Sequence, residues 1–145
     1  MLIKLLPDQI AKHWDTIRFG LIHSLPPMTE PTPEVLQNIL RNLLIEKMQC
    51  WISFDQAEKD IYGVILTYVS VDPQSEYRTL IIYSLYVFST AKRDIWEEGL
   101  RGIEEFAKAS NCGKLAAYTA VPEIISIGEK LNFQTSYRYI TKDMI

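Results

Sequence analysis

The sequence predicts a mixed α/β fold in which an antiparallel meander feeds a helical crossover into a parallel strand. Three runs of strand character, Gln49 to Phe54, Ile61 to Val71 and Thr79 to Phe88, are joined by short polar turns, and short connections make antiparallel neighbours. From Arg93 to Asn111 the apolar period becomes helical, and a strand-like run from Lys114 to Val121 follows. Strand, long helix and strand in that order specify a parallel pair with a right-handed crossover.

Each element has its own local reason. Leu2 to Leu6 alternates weakly and is bounded by Pro7-Asp8, which reads as a first strand before a helix with Asp8 as N-cap. Ile10, Trp14, Ile17 and Leu21 recur at helical spacing and form that helix's apolar stripe, with Trp14 expected in the core. The proline-rich stretch from Ser24 to Pro33 can neither continue a helix nor join a ladder, so it is a loop and a rim over any nearby site. Thr32 as N-cap and Pro33 at the first position start a second helix, with Leu36, Leu40, Leu43 and Leu44 as its apolar face and its end near Lys47.

In Ile61 to Val71 both parities are apolar, with Ile61, Ile65 and Val69 on one face and Val64, Leu66 and Tyr68 on the other. That strand and the next are expected to be covered on two sides, at the centre of the sheet. On the crossover helix Ile95, Gly99, Ile103, Phe106 and Ala107 form the buried stripe, and Asn111-Cys112-Gly113 closes it. Pro122 opens a short helix through Leu131, and Gln134 to Met144 is expected to be a last strand.

The chain has 145 residues, 48% of them hydrophobic, which fits one domain over 1–145 with a single core. A net charge of -3 and the lack of a basic run argue against nucleic acid as a partner. No apolar segment reaches the roughly 20 residues of a membrane span, and the N-terminal run is too short for a signal peptide, so the expected location is the cytoplasm. Cys50 and Cys112 are far apart and expected to be free thiols, and His13 and His23 lack the spacing that puts two ligands on one face; no metal site is expected.

The strand Ile81-Ile82-Tyr83-Ser84-Leu85-Tyr86-Val87-Phe88, the turn Arg93-Asp94-Ile95-Trp96 and the helix interior Glu104-Glu105-Phe106-Ala107-Lys108 resemble the core of the GCN5-related N-acetyltransferase (GNAT) superfamily. The order of elements is similar over nearly the whole chain, and the best local match runs from Leu80 to Phe133. The resemblance implies a GNAT-like acyl-CoA N-acyltransferase fold. In such proteins the turn carries a glutamine or arginine and two glycines, and the helix N-terminus that follows binds the pyrophosphate of acetyl-CoA through its N–H groups and dipole. Here Arg93 stands at the family's arginine, while Asp94 and Trp96 stand at its glycines, and no glycine lies between Ser84 and Glu98. The family's C-terminal signature, a proton-donating tyrosine ahead of a Gly-Phe pair, is matched by Gly128-Glu129-Lys130-Leu131-Asn132-Phe133, with Gly128 in the place of the tyrosine and Asn132 in that of the glycine.

What the resemblance implies for the site is correspondingly altered. Backbone amides near Val87 and Phe88 would polarise the thioester carbonyl of acetyl-CoA, and Lys92 and Arg93 would contact the phosphates as point charge and fork. Tyr86 and Tyr118 are the candidates for the missing acid, drawn from the strand tyrosines Tyr68, Tyr83, Tyr86 and Tyr118, all of which also suit plain packing at a sheet margin. Glu76, Asp72 and Glu123 are base candidates on loops and a helix start, where carboxylates are usually just solvated. The acceptor would be a small-molecule or protein amine. The alternative is a non-catalytic GNAT-like module, of a kind also met in phage and prophage genomes, acting through protein contacts with Trp96 as one of them. An exposed sheet edge makes a homodimer a further expectation.

Overall fold

The computed structural model describes residues 1–55, 60–88 and 93–144, with Arg93 contributing its backbone alone. Strands β1 (Leu2–Lys4), β2 (Gln49–Phe54), β3 (Ile61–Val71), β4 (Arg78–Val87) and β5 (Lys114–Ala117) form one sheet in the order β1-β2-β3-β4-β5. The first four are antiparallel neighbours, and β5 runs parallel to β4, as the short turns and the crossover require.

Helices α1 (Pro7–Lys12), α2 (Trp14–Ile22) and α3 (Pro33–Leu44) cover one face of this sheet. Ile10, Ile17, Leu21, Leu36, Ile39 and Leu43 meet Cys50, Ile52, Val64 and Leu66 there. Ile17 and Leu21 are 0% and 1% exposed, and each such side chain contributes about 1.5–3 kcal/mol of hydrophobic stabilisation. Helix α4 (Arg93–Ala109) covers the other face with Ile103 and Ala107 against Trp51 and Leu80, joined by Phe106, Ile65, Val69 and Leu115. Both faces of β3 are therefore covered, in keeping with a sequence apolar at both parities.

A polar element is sealed into the sheet and fully satisfied. The Trp51 indole Nε1–H donates to Thr67 Oγ1 at 3.0 Å, and the Thr67 hydroxyl donates in turn to Gln49 Oε1 at 2.8 Å. Thr67 is wholly buried, so losing either partner would leave a polar group dry and unpaired.

The structure departs from the sequence expectations at identifiable points. The first helix is two, broken at His13, and its N-cap is Leu6 with Pro7 at the first position, while Asp8 sits within the first turn. Pro7 has the fixed backbone angle that opens a helix, and the Gln9 carboxamide accepts the Leu6 N–H at 2.8 Å, so no cap from Asp8 is needed. The second helix opens as expected, Thr32 Oγ1 accepting from Val35 N–H at 3.2 Å, but it stops at Leu44, short of Lys47. Ile61 packs with the α1–α3 face and not with Ile65, because pairing slips between Ser53 and Phe54 and inserts Tyr62 into β3. The final strand is absent: residues 134–144 have no regular structure, and β5 ends at Ala117, short of Val121. A β-favouring pattern makes a strand only where an edge pairs with it, and residues 134–144 have no such partner within the described chain.

Candidate active site

The site is built where β4 and β5 part. Their pairing runs from Thr79↔Lys114 to Ile82↔Ala117 and goes no further, the last contact being Tyr118 N–H to Ile82 O at 3.4 Å. At that same level β4 carries an extra residue, since Leu66 pairs with Ser84 and Thr67 with Ile82, leaving Tyr83 unmatched. Such a bulge bends its strand and strengthens the local twist, which turns Tyr83–Val87 away from the line of β5. The result is an opening in the sheet beyond Ile82, where the edge of β4 has no strand partner among the described residues.

That edge has defined donors. Phe88 N–H donates to Tyr62 O at 2.7 Å and is committed to β3. Alternation along the strand then turns the N–H groups of Val87 and Leu85 toward the opening. Of the two amides expected near the thioester, the one at Val87 faces the gap and the one at Phe88 does not. Gly63 lies under this stretch, paired with Val87, and a Cβ there would stand 2.8 Å from the Tyr86 carbonyl oxygen. Glycine is what lets β3 approach β4 so closely.

Tyrosines line the α1–α3 side of the opening. The Tyr68 and Tyr83 rings meet edge to face at 5.9 Å, and the Tyr83 hydroxyl reaches Thr29 Oγ1 at 3.5 Å, so the proline-rich loop does form a rim over this side. Ser24 ties the loop down, its hydroxyl lying 2.7 Å from Ser84 Oγ and donating to Gly20 O at 2.7 Å. Burial pushes the Tyr68 phenol up to about 12, helped by a hydrogen bond with Tyr118 and by the nearness of Tyr118 and Tyr83. Tyr68 thus keeps its proton, and the neighbouring Tyr118 stands immediately after β5, where pairing with β4 ends. Tyr86 is placed differently: its ring packs against Phe88 at 4.9 Å, His23 at 5.7 Å and Phe19 at 5.9 Å, on helix α2. Gly20 makes room for it, with Tyr86 Cβ 3.4 Å from where a Cβ would be.

The phosphate end is less complete. Lys92 lies outside the described residues, and Arg93 opens α4. Asp94 in the first turn is exposed and Trp96 is half-buried. An exposed carboxylate at a helix N-terminus suits the helix dipole but opposes an incoming phosphate. The residues present therefore suit the thioester arm of an acyl-CoA, at the β4 edge, better than its pyrophosphate. At the C-terminal signature Asn132 takes a left-handed φ of 69°, and Phe133 N–H donates to Gly128 O at 2.9 Å. This closes α5 (Pro122–Lys130) as the asparagine in the glycine position leads one to expect.

Asp72 and Glu76 lie at the far end of the sheet, in the turn between β3 and β4. Hydrogen bonds from the Gln74 N–H at 3.1 Å and from the Ser75 hydroxyl at 2.9 Å hold the Asp72 carboxyl below its usual range and mark it as a turn-former. Among the described residues no cluster of three His, Cys, Asp or Glu is arranged for a metal, and no helix is long and apolar enough to cross a membrane. Thr29 and Leu85 join the site without having been singled out from the sequence; the proline-rich loop was a signal for the first, and strand alternation at a known bulge is needed for the second.

No family model matches the sequence, and no curated protein is similar enough to count as a relative. Solved structures do match. One is a probable acetyltransferase, with a TM-score of 0.73 at 13% identity over 100% of this chain and 97% of that one. A second is a ribosomal-protein-alanine N-acetyltransferase from Brucella melitensis biovar Abortus 2308, with a TM-score of 0.70 at 11% identity over 99% of each chain. A third is AAC(6')-Iy in complex with the bisubstrate analog CoA-S-monomethyl-acetylneamine, with a TM-score of 0.72 at 13% identity over 100% of this chain and 97% of that one. The fold is that of the GNAT acetyltransferases, as the resemblance implied.

Proposed function

We propose that this protein is an N-acyltransferase that moves an acyl group from acyl-CoA to a small-molecule or protein amine, with a pyrophosphate grip that differs from the glycine loop of its fold relatives. The observation that carries this reading is the parting of β4 from β5 beside the Tyr83 bulge, which leaves the Val87 and Leu85 N–H groups unpaired by β5. A strand edge of that kind holds an extended pantetheine arm by main-chain hydrogen bonds. Val87 N–H is then placed to stabilise the charge that grows on the thioester oxygen as the neutral amine attacks. The new C–N bond replaces the C–S bond, the amine's surplus proton passes to water, and the departing sulfur is protonated.

Tyr118 is the side chain we assign to that last proton. What supports it is that Tyr118 follows β5 directly, where β4–β5 pairing stops, and lies near Tyr68. Tyr86 is the weaker candidate because its ring is packed on α2. Lys92 and Arg93 are the cations we assign to the phosphates, in place of the glycine amides. Isothermal titration with acetyl-CoA and with free CoA tests the reading: micromolar binding is expected, and Arg93→Ala should weaken it by about 1–3 kcal/mol, the worth of a charge-assisted hydrogen bond.

A second reading rests on Asp94 and Trp96 in the first turn of α4. With a negative charge and an indole where phosphate would sit, the same fold serves as a binding module with no CoA chemistry. Absence of heat from a folded protein at millimolar CoA would favour it and retire the acyltransferase.

A further inference from the structure

A cavity separate from the acyl opening lies at the other end of the sheet. It holds about 450 Å³, the size of a small-molecule site, and is lined by Ser70, Asp72, Ser75, Tyr77, Thr79 and Lys114. Along β4, Thr79 stands roughly 26 Å from Val87 at about 3.3 Å per residue. Strand register builds the cavity's floor. Val69, Leu80 and Leu115 are partners on β3, β4 and β5 and pack with Ile103 and Ala107 of α4. Alternation turns their neighbours Ser70, Thr79 and Lys114, which are also partners, to the opposite face as one polar row across three strands.

Backbone hydrogen bonds fix the walls. Asp72 N–H donates to Tyr77 O at 3.0 Å and Tyr77 N–H to Ser75 Oγ at 3.2 Å, which closes the β3–β4 turn on one side. On the other side Gly113 N–H donates to Arg78 O at 2.9 Å and Arg78 Nε–H to Ser110 O at 3.0 Å, which ties β4 to the turn after α4. The lack of a side chain at Gly113 leaves room for Tyr77, whose hydroxyl oxygen would stand 2.6 Å from a Cβ there. Tyr77 is thereby held beside Lys114, the ammonium lying 5.8 Å from the centre of its ring.

The charges that line this cavity are opposite and do not cancel each other. Bonds from the Gln74 N–H and the Ser75 hydroxyl keep the Asp72 carboxyl ionised, one to each oxygen, and each oxygen retains a lone pair for a further donor. Lys114 makes no ion pair among the described residues. A plain anion would be repelled by Asp72 and a plain cation by Lys114, whereas a molecule that carries both an ammonium and a carboxylate satisfies the two together. We propose that the cavity binds a free α-amino acid, its ammonium on Asp72, its carboxylate on Lys114 and the Ser70 and Thr79 hydroxyls, and its side chain beside the Tyr77 ring. The site does not depend on acyl transfer.

Backbone amide shifts of the full chain, titrated with each standard amino acid in turn, test this. At least one amino acid is expected to move the Ser70, Thr79 and Lys114 amides and to saturate at millimolar concentration or below. Propionate and ethylamine, which carry one charge each, should leave those amides in place at the same concentrations. Lys114→Gln, at an exposed position and with circular dichroism confirming its fold, should weaken the binding about tenfold or more, the scale of a lost charge-assisted contact. Asp72→Asn, which keeps an acceptor for the turn, should do the same. No saturable shift from any amino acid, propionate binding equally well, or affinity indifferent to Lys114→Gln would each overturn the assignment.

Discussion

Gly63 and Gly99 have opposite reasons for being glycine, and substitution separates them. A Cβ at Gly63 meets the Tyr86 carbonyl at 2.8 Å, a backbone atom in the middle of the sheet that cannot swing aside. Gly63→Ala should destabilise by about 1–3 kcal/mol, read from chemical denaturation, and should weaken acyl-CoA binding because it pushes on the strand that presents Val87. Gly99 lies within α4 with nothing within 4 Å of its Cβ position. Gly99→Ala should stabilise by about 0.5–1 kcal/mol, the helix preference of alanine over glycine.

A buried thiol and a half-buried phenol give the protein an alkaline limit. Burial raises the Cys50 thiol from 9.0 to about 12. Burial and the Tyr118 hydrogen bond raise the Tyr68 phenol from 10.0 to about 12. Both keep their protons in the folded chain at a pH where the unfolded chain has lost them, so unfolding releases protons and stability falls as pH rises. The thermal midpoint should hold to about pH 9 and then drop toward pH 12. Tyr68→Phe should flatten the part of the fall above pH 10, and an unchanged slope would mean that the phenol is not held as described.

At the scale of elements, the sequence was readable wherever a local signal acts alone. Thr32 before Pro33 opened α3 as written, and Thr32→Ala should cost about 1 kcal/mol in thermal unfolding because the Val35 N–H loses its acceptor. The stripe of α4 held at Ile103, Phe106 and Ala107, and Asn111 closes it at a left-handed φ of 58°. What could not be read was register. β4 is apolar at both parities, so the insertion of Tyr83 changes no pattern in the sequence, yet it decides where β4 and β5 part. The same blindness hid the slip at Tyr62 that sends Ile61 to the other face. Residues 134–144 failed for a different reason: strand character was legible, but a strand needs an edge, and that lies in tertiary structure.

The element on which the two proposed readings divide is the first turn of α4. Asp94 and Trp96 were visible in the sequence as departures from a glycine turn, and both lie in the first turn of α4. If they tighten the phosphate end, Asp94→Gly combined with Trp96→Gly should raise CoA affinity in isothermal titration. No gain from the double substitution would locate the restriction elsewhere along the groove.

For the molecule as a whole, two helical layers on one sheet keep the GNAT fold at identities of 11% to 13% with the structures compared. Such a likeness needs only that apolar patterns, crossover and chain length be kept, since many side-chain sets fill the same layers. Activity is more demanding. On the proposed reading it would require the gap between β4 and β5, a donor at Val87, an acid near the sulfur and a hold on phosphate, and these would come from separate elements.

Mapping backbone amide shifts on titration with acetyl-CoA examines all of these together. Perturbation of Leu85, Val87 and the Arg93–Trp96 turn, with little change in the Asp72–Tyr77 turn at the far end of the sheet, is the outcome expected of an acyltransferase that uses this gap. No perturbation, or shifts confined to surfaces away from β4 and the start of α4, would contradict it and leave the fold without acyl-CoA chemistry.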